Sequence, residues 1–320
     1  MEYIDVFNGD ADGICALHQL RLHEPRPDAL LISGVKRYIT LLEQLTNISN
    51  STITVLDISL DRNRDSLEKI LAHGNTVFYA DHHYAGTIPS SDKLTAHIDP
   101  EPLTCTSLII NSLMREKYGP WAVVGAFGDN LDEPALQLAA RFGLGGEATE
   151  LLKETGILLN YNGYGASLSD LFFSPAELFR QVQHFTDPLV FAAESPALQT
   201  LRNGYREDMD RAMSFDPIHE DMGGRIFELP AEPWARRVAG VYSNTLARLK
   251  PALAHALLTA NSDGSLRISV RAPLQNRTGA DTLCREFPTG GGRAAAAGIN
   301  GLPAEQLDAF IKAFSRRFTI

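Results

Sequence analysis

The sequence has few cysteines and no long apolar run, and both shortages limit what this protein can be. Its 320 residues include only Cys15, Cys105 and Cys284, which are far apart and odd in number. We therefore expect a reducing, cytoplasmic compartment, no disulfide framework and three small buried thiols. No apolar stretch approaches the roughly 20 residues that cross a bilayer. The N-terminus also lacks the basic start and apolar core of a signal peptide.

Basic residues are fewer than acidic residues, and the difference varies along the chain. The sequence carries 29 Lys and Arg against 39 Asp and Glu, a formal net charge of −10. This balance argues against a surface that coats long nucleic acids. Residues 1–221 hold 16 basic and 32 acidic residues, whereas residues 222–320 hold 13 and 7. Such a division suits metal ions and arginines that together hold one anionic ligand, and chance asymmetry is the alternative.

The first half of the chain alternates between strand-like and helix-like segments. Strand patterns occur at residues 3–7, 29–33, 51–56 and 76–80. Helical patterns occur at residues 14–22, 65–72 and 104–117, the last with Thr104 or Thr106 as a candidate N-cap. The apolar run 122–127 fits a helix or a strand equally. This alternation predicts an α/β fold with a mostly parallel sheet and helices on both faces.

The length favours two domains rather than one. We assign residues 1–165 to the first domain, 166–221 to a helical linker and 222–320 to a smaller C-terminal α/β domain. In the last region the patterns predict a strand at 225–229, a helix at 234–249, a hairpin of strands 255–260 and 266–271 across Asn261–Gly264, and a helix at 282–287.

Four short motifs rich in aspartate and histidine stand out in the first half. They are Asn8-Gly9-Asp10-Ala11-Asp12-Gly13, Asp57, Asp81-His82-His83 and Gly128-Asp129-Asn130. The first three follow predicted strands, so their side chains should meet at the carboxyl edge of the sheet, where ligands bind. The first motif also mimics an EF-hand loop, but Gln19 replaces the glutamate of the twelfth position and a strand precedes the motif.

Each motif taken alone also fits an acidic turn, a helix cap or a solvated histidine. Together they would place aspartates close enough to repel one another strongly without a counter-charge. Two divalent ions would balance the four carboxylates other than that of Asp81. Such a pair of ions, about 3.5–4 Å apart, activates a bridging water and clamps an in-line displacement at phosphorus. The motifs therefore predict a two-metal hydrolase of phosphate esters.

In this order, the motifs resemble the DHH phosphoesterase family, including its oligoribonucleases and bisphosphate-nucleotide phosphatases. The resemblance covers nearly the whole chain. Near the C-terminus, Gly290-Gly291-Gly292-Arg293 followed by an alanine run resembles the glycine-rich motif of the DHH-associated substrate domain. Arg271 matches a substrate-contacting arginine of that domain. Residues 1–165 would then be the catalytic, metal-binding domain and residues 222–320 the substrate-binding domain.

The resemblance implies a metal ligand set. Asp57 would bridge two ions, with Mn²⁺ expected and Mg²⁺ or Co²⁺ as alternatives. Asp12, His82 and Asp129 would complete one ion, and Asp10 would bind the other. One departure is that many members have a histidine ahead of the paired aspartates where this chain has Asn8, although some nucleases of the family have an all-acidic motif there.

The resemblance also implies contacts to the substrate. His83 would act in catalysis with Asp57 by binding the scissile phosphate, and Arg271, Gly291, Gly292 and Arg293 would bind the rest of the substrate. The family motif commonly ends in histidine rather than in Arg293. An arginine offers permanent charge and forked donors for phosphate but cannot donate a proton.

These residues predict an exonuclease-like phosphodiesterase that hydrolyses short oligonucleotides or dinucleotides. A 3′,5′-bisphosphate nucleotide phosphatase and a pyrophosphatase are alternatives, because the same metals can perform each reaction. A nucleotide-binding sensor that has lost catalysis is a third. The expected partner is a small phosphorylated molecule and not a membrane, and a homodimer is compatible with the sequence.

Overall fold

The computed structural model describes residues 2–261 and 263–319. The chain forms two compact units, Met1–Asn203 and Gly204–Ile320, and the division falls within helix α9 (Pro196–Met213). Each unit contains one sheet with packed helices. The predicted fold class is therefore confirmed, with a parallel sheet in the first unit and a smaller α/β second unit. The proposed domain limits at residues 165 and 222 stay predictions.

A five-stranded parallel sheet organises the first unit. Its strands are β1 (Tyr3–Asn8), β2 (Leu30–Gly34), β3 (Thr52–Leu56), β4 (Thr76–Asp81) and β5 (Leu94–Ile98). The spatial order is β2-β1-β3-β4-β5, and every neighbouring pair is parallel. The chain leaves β1 toward β2 on one side and returns to place β3 on the other. This reversal creates a crevice outside the carboxyl ends of β1 and β3.

Helices of the first unit contact this sheet or pack against one another. With α9 they are α1 (Ala11–His23), α2 (Leu60–Ala72), α3 (Thr106–Leu113), α4 (Gly119–Gly128), α5 (Asp132–Arg141), α6 (Gly146–Gly163), α7 (Pro175–Val182) and α8 (Pro188–Glu194). Helices α1, α2, α3 and α7 contact the sheet. Alternate strand residues such as Ile4 and Val6 pack into one core with Leu67 and Ile70 of α2. The residue between them, Asp5, points to the opposite face, because successive side chains of a strand alternate.

A buried ion pair attaches α1 to that opposite face. The Nε and Nη2 atoms of Arg21 donate to the two carboxylate oxygens of Asp5, each at 2.8 Å. Nη2 also donates to the Thr54 hydroxyl at 2.8 Å. The side chains of Arg21 and Asp5 are only 8% and 1% exposed. The pair therefore fixes α1, and with it Asp10 and Asp12 at its N-terminus, against β1 and β3.

Two local predictions change in the structure. The ambiguous run 122–127 lies in helix α4. Helix α3 ends at Leu113 rather than at residue 117, because Arg115 and Glu116 adopt left-handed φ angles of 53° and 61°. Such angles cannot continue a right-handed helix. Strand β5, at the sheet edge, was not predicted.

A mixed sheet forms the framework of the second unit. Its strands are β6 (His219–Glu220), β7 (Gly224–Leu229), β8 (Ala254–Ala260), β9 (Leu266–Arg271), β10 (Gly290–Gly292) and β11 (Ala296–Leu302), in the spatial order β10-β11-β9-β8-β7-β6. Strands β8 and β9 are antiparallel, which confirms the predicted hairpin. Within its predicted turn, Ser262 lies outside the described residues.

Three further helices pack against the second sheet. They are α10 (Pro233–Leu249), α11 (Ala280–Cys284) and α12 (Leu307–Phe318). Phe310 and Phe314 of α12 share a core with Ile226 and Ile268 of the strands. The helix predicted at 282–287 corresponds to the shorter α11. The three cysteines of the chain are buried and unpaired, which confirms their interpretation as core residues.

Among the described residues, we find no helix that combines the length and the apolar character required to traverse a bilayer.

We predict that Asp5→Ala lowers the free energy of unfolding of the first unit by about 3–5 kcal/mol, because it leaves the Arg21 charge buried without its partner. Urea unfolding followed by circular dichroism measures this change. Arg141→Ala is the control, since Arg141 pairs with Glu116 at the exposed surface and such pairs contribute about 0–1 kcal/mol. Equal stabilities of the two variants would contradict the structural role of the Asp5–Arg21 pair.

Candidate metal centre

The carboxyl edge of the first sheet brings most of the predicted ligands together. Asp57 directly follows β3, and Asp81 ends β4 with His82 next to it. Asp10 is the N-cap of α1, two residues beyond β1, and Asp129 is the C-cap residue of α4. Distances reported below link these side chains into one cluster. The cluster lies at the reversal of strand order, where sheets of this type bind ligands.

Asp57 is the most deeply constrained carboxylate of the cluster. Asp57 is 2% exposed, and its backbone φ of 58° lies in the left-handed region. The Oδ1 atom lies 3.4 Å from Nε2 of His82 and accepts a hydrogen bond of 3.3 Å from the Thr106 hydroxyl. Burial, and then the nearby carboxylates of Asp10 and Asp12, raise the pKa of Asp57 well above its ordinary value. A carboxylate in this environment requires a proton or a cation.

His82 presents a nitrogen lone pair to the same place. Its Nδ1 lies 3.0 Å from the Thr104 carbonyl, so this nitrogen is the donor and Nε2 carries the lone pair. Nε2 lies 3.4 Å from Asp57 Oδ1 and 3.8 Å from Asp129 Oδ2. Carboxylate oxygens of Asp57 and Asp129 therefore both lie near Nε2, and the orienting bond to a backbone carbonyl is typical of metal-binding histidines. The ligand atoms that all lie within 4.8 Å of one another, and so fit one divalent ion, belong to Asp57, His82 and His83.

His83 is held differently from His82. Its Nδ1 contacts the Asp81 carboxylate at 2.7 Å, and its side chain is 42% exposed. Burial lowers the pKa of His83, but the hydrogen bond and charge of Asp81 outweigh burial and raise it above its ordinary value. A charged imidazole suits a phosphate oxygen. One ring nitrogen of His83 nevertheless lies within 4.8 Å of ligand atoms of Asp57 and His82, so the geometry also permits metal binding.

Asp12 has a structural function that the sequence did not reveal. Its two oxygens accept hydrogen bonds from the backbone amides of Thr106, at 2.8 Å, and Ser107, at 2.7 Å. These amides begin α3, so Asp12 caps a helix 94 residues away in the sequence. The predicted caps were wrong, because the N-cap residue is Cys105 and makes no side-chain capping bond. Asp12 thereby joins α1 to α3 beside Asp57.

Lys36 also lies in the cluster, although the sequence motifs did not predict it. It follows β2 by two residues, and its Nζ lies 2.6 Å from Asp10 Oδ2 and 3.4 Å from Asp129 Oδ1. Burial alone would lower the pKa of Lys36, but the charge of Asp10 raises it well above its ordinary value. For Asp10 burial favours a higher pKa, but Lys36 and the Gly13 amide outweigh burial and lower it. A search for anionic and imidazole ligands overlooks a lysine, although its position after a strand was a usable signal.

Two glycines permit close backbone packing of the turn between β1 and α1. A Cβ atom on Gly13 would lie 2.3 Å from the Asn8 carbonyl oxygen, and one on Gly9 would lie 2.1 Å from the Gly34 carbonyl oxygen. Neither distance is compatible with a side chain. The glycines of the first motif are therefore required for the turn that carries Asp10 and Asp12.

The other predicted site residues lie in the second unit, on adjacent strands. Gly291 and Gly292 belong to the edge strand β10, and Arg293 follows at an exposed turn whose backbone N–H donates to the Ala296 carbonyl at 2.9 Å. Ala296 pairs in register with Arg271 of β9. Nε of Arg271 donates to the Asn244 side chain at 2.8 Å. The sheet thus brings Arg271 and the glycine-rich turn near one another.

Comparison with known proteins identifies the fold. Neither a family model nor a curated protein matches the sequence. Among solved structures, the chain is similar to a DHH-domain protein described as a member of the S1p family of ribosomal proteins, with a TM-score of 0.63, 13% identity, and coverage of 98% of this chain and 86% of the other.

Two further structures are similar over most of the chain. The exonuclease RecJ bound to manganese has a TM-score of 0.62 and 17% identity, with coverage of 98% of this chain and 89% of RecJ. The pGpG-specific phosphodiesterase PggH from Vibrio cholerae has a TM-score of 0.50 and 13% identity, with coverage of 98% of both chains. At these identities the likeness shows the fold alone. The chain has the fold of DHH-domain proteins, as its motifs predicted.

We predict that Asp57→Asn abolishes stabilisation of the protein by Mn²⁺. Asparagine matches aspartate in shape and tolerates a left-handed φ, so the metal-free variant should melt at or above the wild-type temperature. With Mn²⁺ at 100 times its Kd, mass action should stabilise the wild type by about 2.7 kcal/mol. Differential scanning fluorimetry after chelation, with and without Mn²⁺, measures both effects.

Asp132→Asn is the matched control for this substitution, because Asp132 is exposed and pairs with Lys153. Its Mn²⁺-induced shift in melting temperature should equal that of the wild type. A full shift in Asp57→Asn would show that the ion binds elsewhere.

Proposed function

We propose that this protein is a DHH-family phosphodiesterase that depends on a divalent metal and hydrolyses short oligonucleotides or dinucleotides. The observation that carries the proposal is the proximity of His82 Nε2 to the carboxylates of Asp57 and Asp129, at the strand reversal of a DHH-type fold. RecJ, named as an exonuclease, and PggH, named as a pGpG-specific phosphodiesterase, have similar folds. Both names denote enzymes that cleave phosphodiester bonds.

In this proposal Asp57, His82 and Asp129 bind the ion, and Asp12 supports them from the N-terminus of α3. A divalent ion bound there supplies Lewis-acid polarisation of the phosphate and lowers the pKa of a coordinated water. The mixture of carboxylate and imidazole donors supports Mn²⁺, with Mg²⁺ and Co²⁺ as alternatives. The Thr104 carbonyl keeps the His82 ring in the tautomer that this role requires.

We assign the scissile phosphate to His83. Its exposure, its hydrogen bond to buried Asp81 and its raised pKa support a charged imidazole that donates to a phosphate oxygen. This contribution is greatest below the pKa of His83 and is lost as the pH rises through it. Asp81 acts as the positioning residue of this pair, because its contact with Nδ1 directs the ring.

We also assign substrate binding to Arg271, Gly291, Gly292 and Arg293 of the second unit. Arg293 is exposed, and a Cβ atom on Gly291 would meet nothing within 4 Å, so both are accessible to a ligand. Arginine binds phosphate through forked donors but keeps its proton, which supports a role in binding rather than in proton transfer. The net charge of −10 favours a short ligand over a long nucleic acid.

Product analysis with three substrates tests the reaction. With Mn²⁺ present, we expect a linear dinucleotide to be cleaved to mononucleotides, with kcat/KM at least about tenfold above that for a 3′,5′-bisphosphate nucleotide or pyrophosphate. Asp57→Asn should reduce kcat/KM by about 1,000-fold or more, equivalent to about 4 kcal/mol of transition-state stabilisation. Asp132→Asn should retain wild-type activity.

The other outcomes each select an alternative. Turnover of pyrophosphate alone, or of the bisphosphate nucleotide alone, would replace the phosphodiesterase by one of those activities. A nucleotide-binding sensor is motivated by Asn8 and Arg293, which stand where many family members have histidines. It would bind the dinucleotide tightly at saturating Mn²⁺ without releasing products.

We predict that Arg293→Ala raises KM for the dinucleotide about 10- to 100-fold with little change in kcat. Loss of a charged hydrogen bond costs about 1.5–3 kcal/mol, and a contact made equally in ground and transition states affects KM alone. Steady-state kinetics measures both constants. Arg285→Ala is the control, because Arg285 is exposed and pairs only locally with Asp281 in the described structure. An unchanged KM in Arg293→Ala would remove Arg293 from the substrate site.

A further inference from the structure

The ammonium group of Lys36 lies where the family resemblance implies one of two metal ions. Its Nζ is 2.6 Å from Asp10 Oδ2, 3.4 Å from Asp129 Oδ1 and 3.2 Å from Asn160 Oδ1. Three oxygens match the three N–H donors of an ammonium group. Asp10, the predicted ligand of the second ion, is therefore already neutralised by a cation that belongs to the chain.

The neighbourhood of Asp10 is a poor divalent site for a second reason. The position at which many family members have a histidine carries Asn8, and a neutral amide is a weaker ligand than imidazole for Mn²⁺ or Co²⁺. The Asn8 amide nitrogen instead donates to the Lys36 backbone carbonyl at 3.3 Å. Asn8 thus helps to hold the segment that delivers the ammonium group.

The ammonium group and a second divalent ion cannot both bind Asp10 as the structure has it. An ion coordinated by Oδ2 would have to lie next to Nζ, and two like-charged groups at that separation repel strongly at a buried site. By contrast, Asp57 and His82 face each other at 3.4 Å with no ammonium partner in the described part of the chain. Asp129 borders both halves, because its Oδ1 contacts Lys36 and its Oδ2 lies 3.8 Å from His82. The two halves of the cluster therefore differ in which cation they suit.

The charges of the cluster come within about half a unit of balance with one ion. Asp10, Asp12, Asp57 and Asp129 contribute −4, while Lys36 and one divalent ion contribute +3. The amides at the N-terminus of α3, which hold Asp12, add a partial charge of roughly +0.5. A second divalent ion is not needed to relieve the repulsion of the carboxylates.

We propose that Lys36 takes the place of one of the two metal ions, so that this centre binds a single divalent ion at Asp57, His82 and Asp129. The inference rests on the proposed function and replaces the expected pair of ions. Lys36 holds Asp10 and supplies fixed positive charge, but it cannot exchange ligands with water or substrate as an ion does. Lys36 is therefore a positioning residue. If its role were purely structural, removing it would not change the number of ions that the centre binds.

Metal counting with Mn²⁺ alone tests the inference. After equilibrium dialysis of the whole chain, we expect one Mn²⁺ per wild-type chain and the electron paramagnetic resonance spectrum of an isolated ion. Lys36→Ala frees Asp10 and should bind two ions with a spin-coupled spectrum. Lys36→Arg keeps the charge and should bind one. Lys250→Ala is the control, because Lys250 is exposed and pairs with Glu220 in the second unit, and it should also bind one.

Any other ion count contradicts either the role of Lys36 or the proposed function. Two ions in the wild type, with normal dinucleotide hydrolysis, would overturn the role of Lys36 and leave the proposed function intact. One ion in both the wild type and Lys36→Ala would also overturn it, because the freed carboxylate would not bind metal. No Mn²⁺ in the wild type would overturn the proposed function itself. If Lys36→Ala folds only with Mn²⁺, the ion count of the folded protein decides in the same way.

Discussion

Mutual repulsion among buried carboxylates is the constraint on which the rest of this structure depends. The parallel sheet places aspartates from several elements at one edge. Each buried carboxylate needs a nearby positive charge or hydrogen-bond donor to offset its negative charge. Asp10 meets the ammonium group of Lys36, Asp12 meets the first amides of α3, and Asp81 meets His83. Asp57 contacts the Thr106 hydroxyl, the His82 imidazole and the Asp10 carboxylate, and none of these contacts is a fixed positive charge. This uneven compensation makes the surroundings of Asp57 the preferred place for a divalent cation.

The scaffold that enforces this proximity is itself held by polar groups. The Arg21–Asp5 pair fixes the orientation of α1, and close backbone packing at Gly13 brings the start of that helix against β1. The carboxylate of Asp12 then ties α1 to α3. Because these contacts cross between elements distant in sequence, they set the positions of the candidate ligands more tightly than the turns themselves could. Precise placement of this kind is what metal sites require of their surroundings.

Structures with this fold include proteins named as an exonuclease and as a dinucleotide phosphodiesterase, so the fold alone does not select the substrate. In the proposal made here, selection depends on the second unit, whose exposed glycine-rich turn and Arg271 provide phosphate-binding groups. The number of ions bound by the centre would also vary within this fold, and in this chain Lys36, which follows β2, would set it.

The fold class and the positions of most strands were predictable from the sequence, whereas the candidate ligands remain a prediction. Local patterns such as the β-branched run before Asp57, and motifs such as Asp81-His82-His83, depend on residues close together in the chain. The partners of Lys36 and the cap of α3 by Asp12 were not predictable in this way, because each contact joins residues dozens of positions apart. A sequence shows which charges exist, whereas only the packed sheet decides which of them become neighbours, since compensation of charge depends on distance in space.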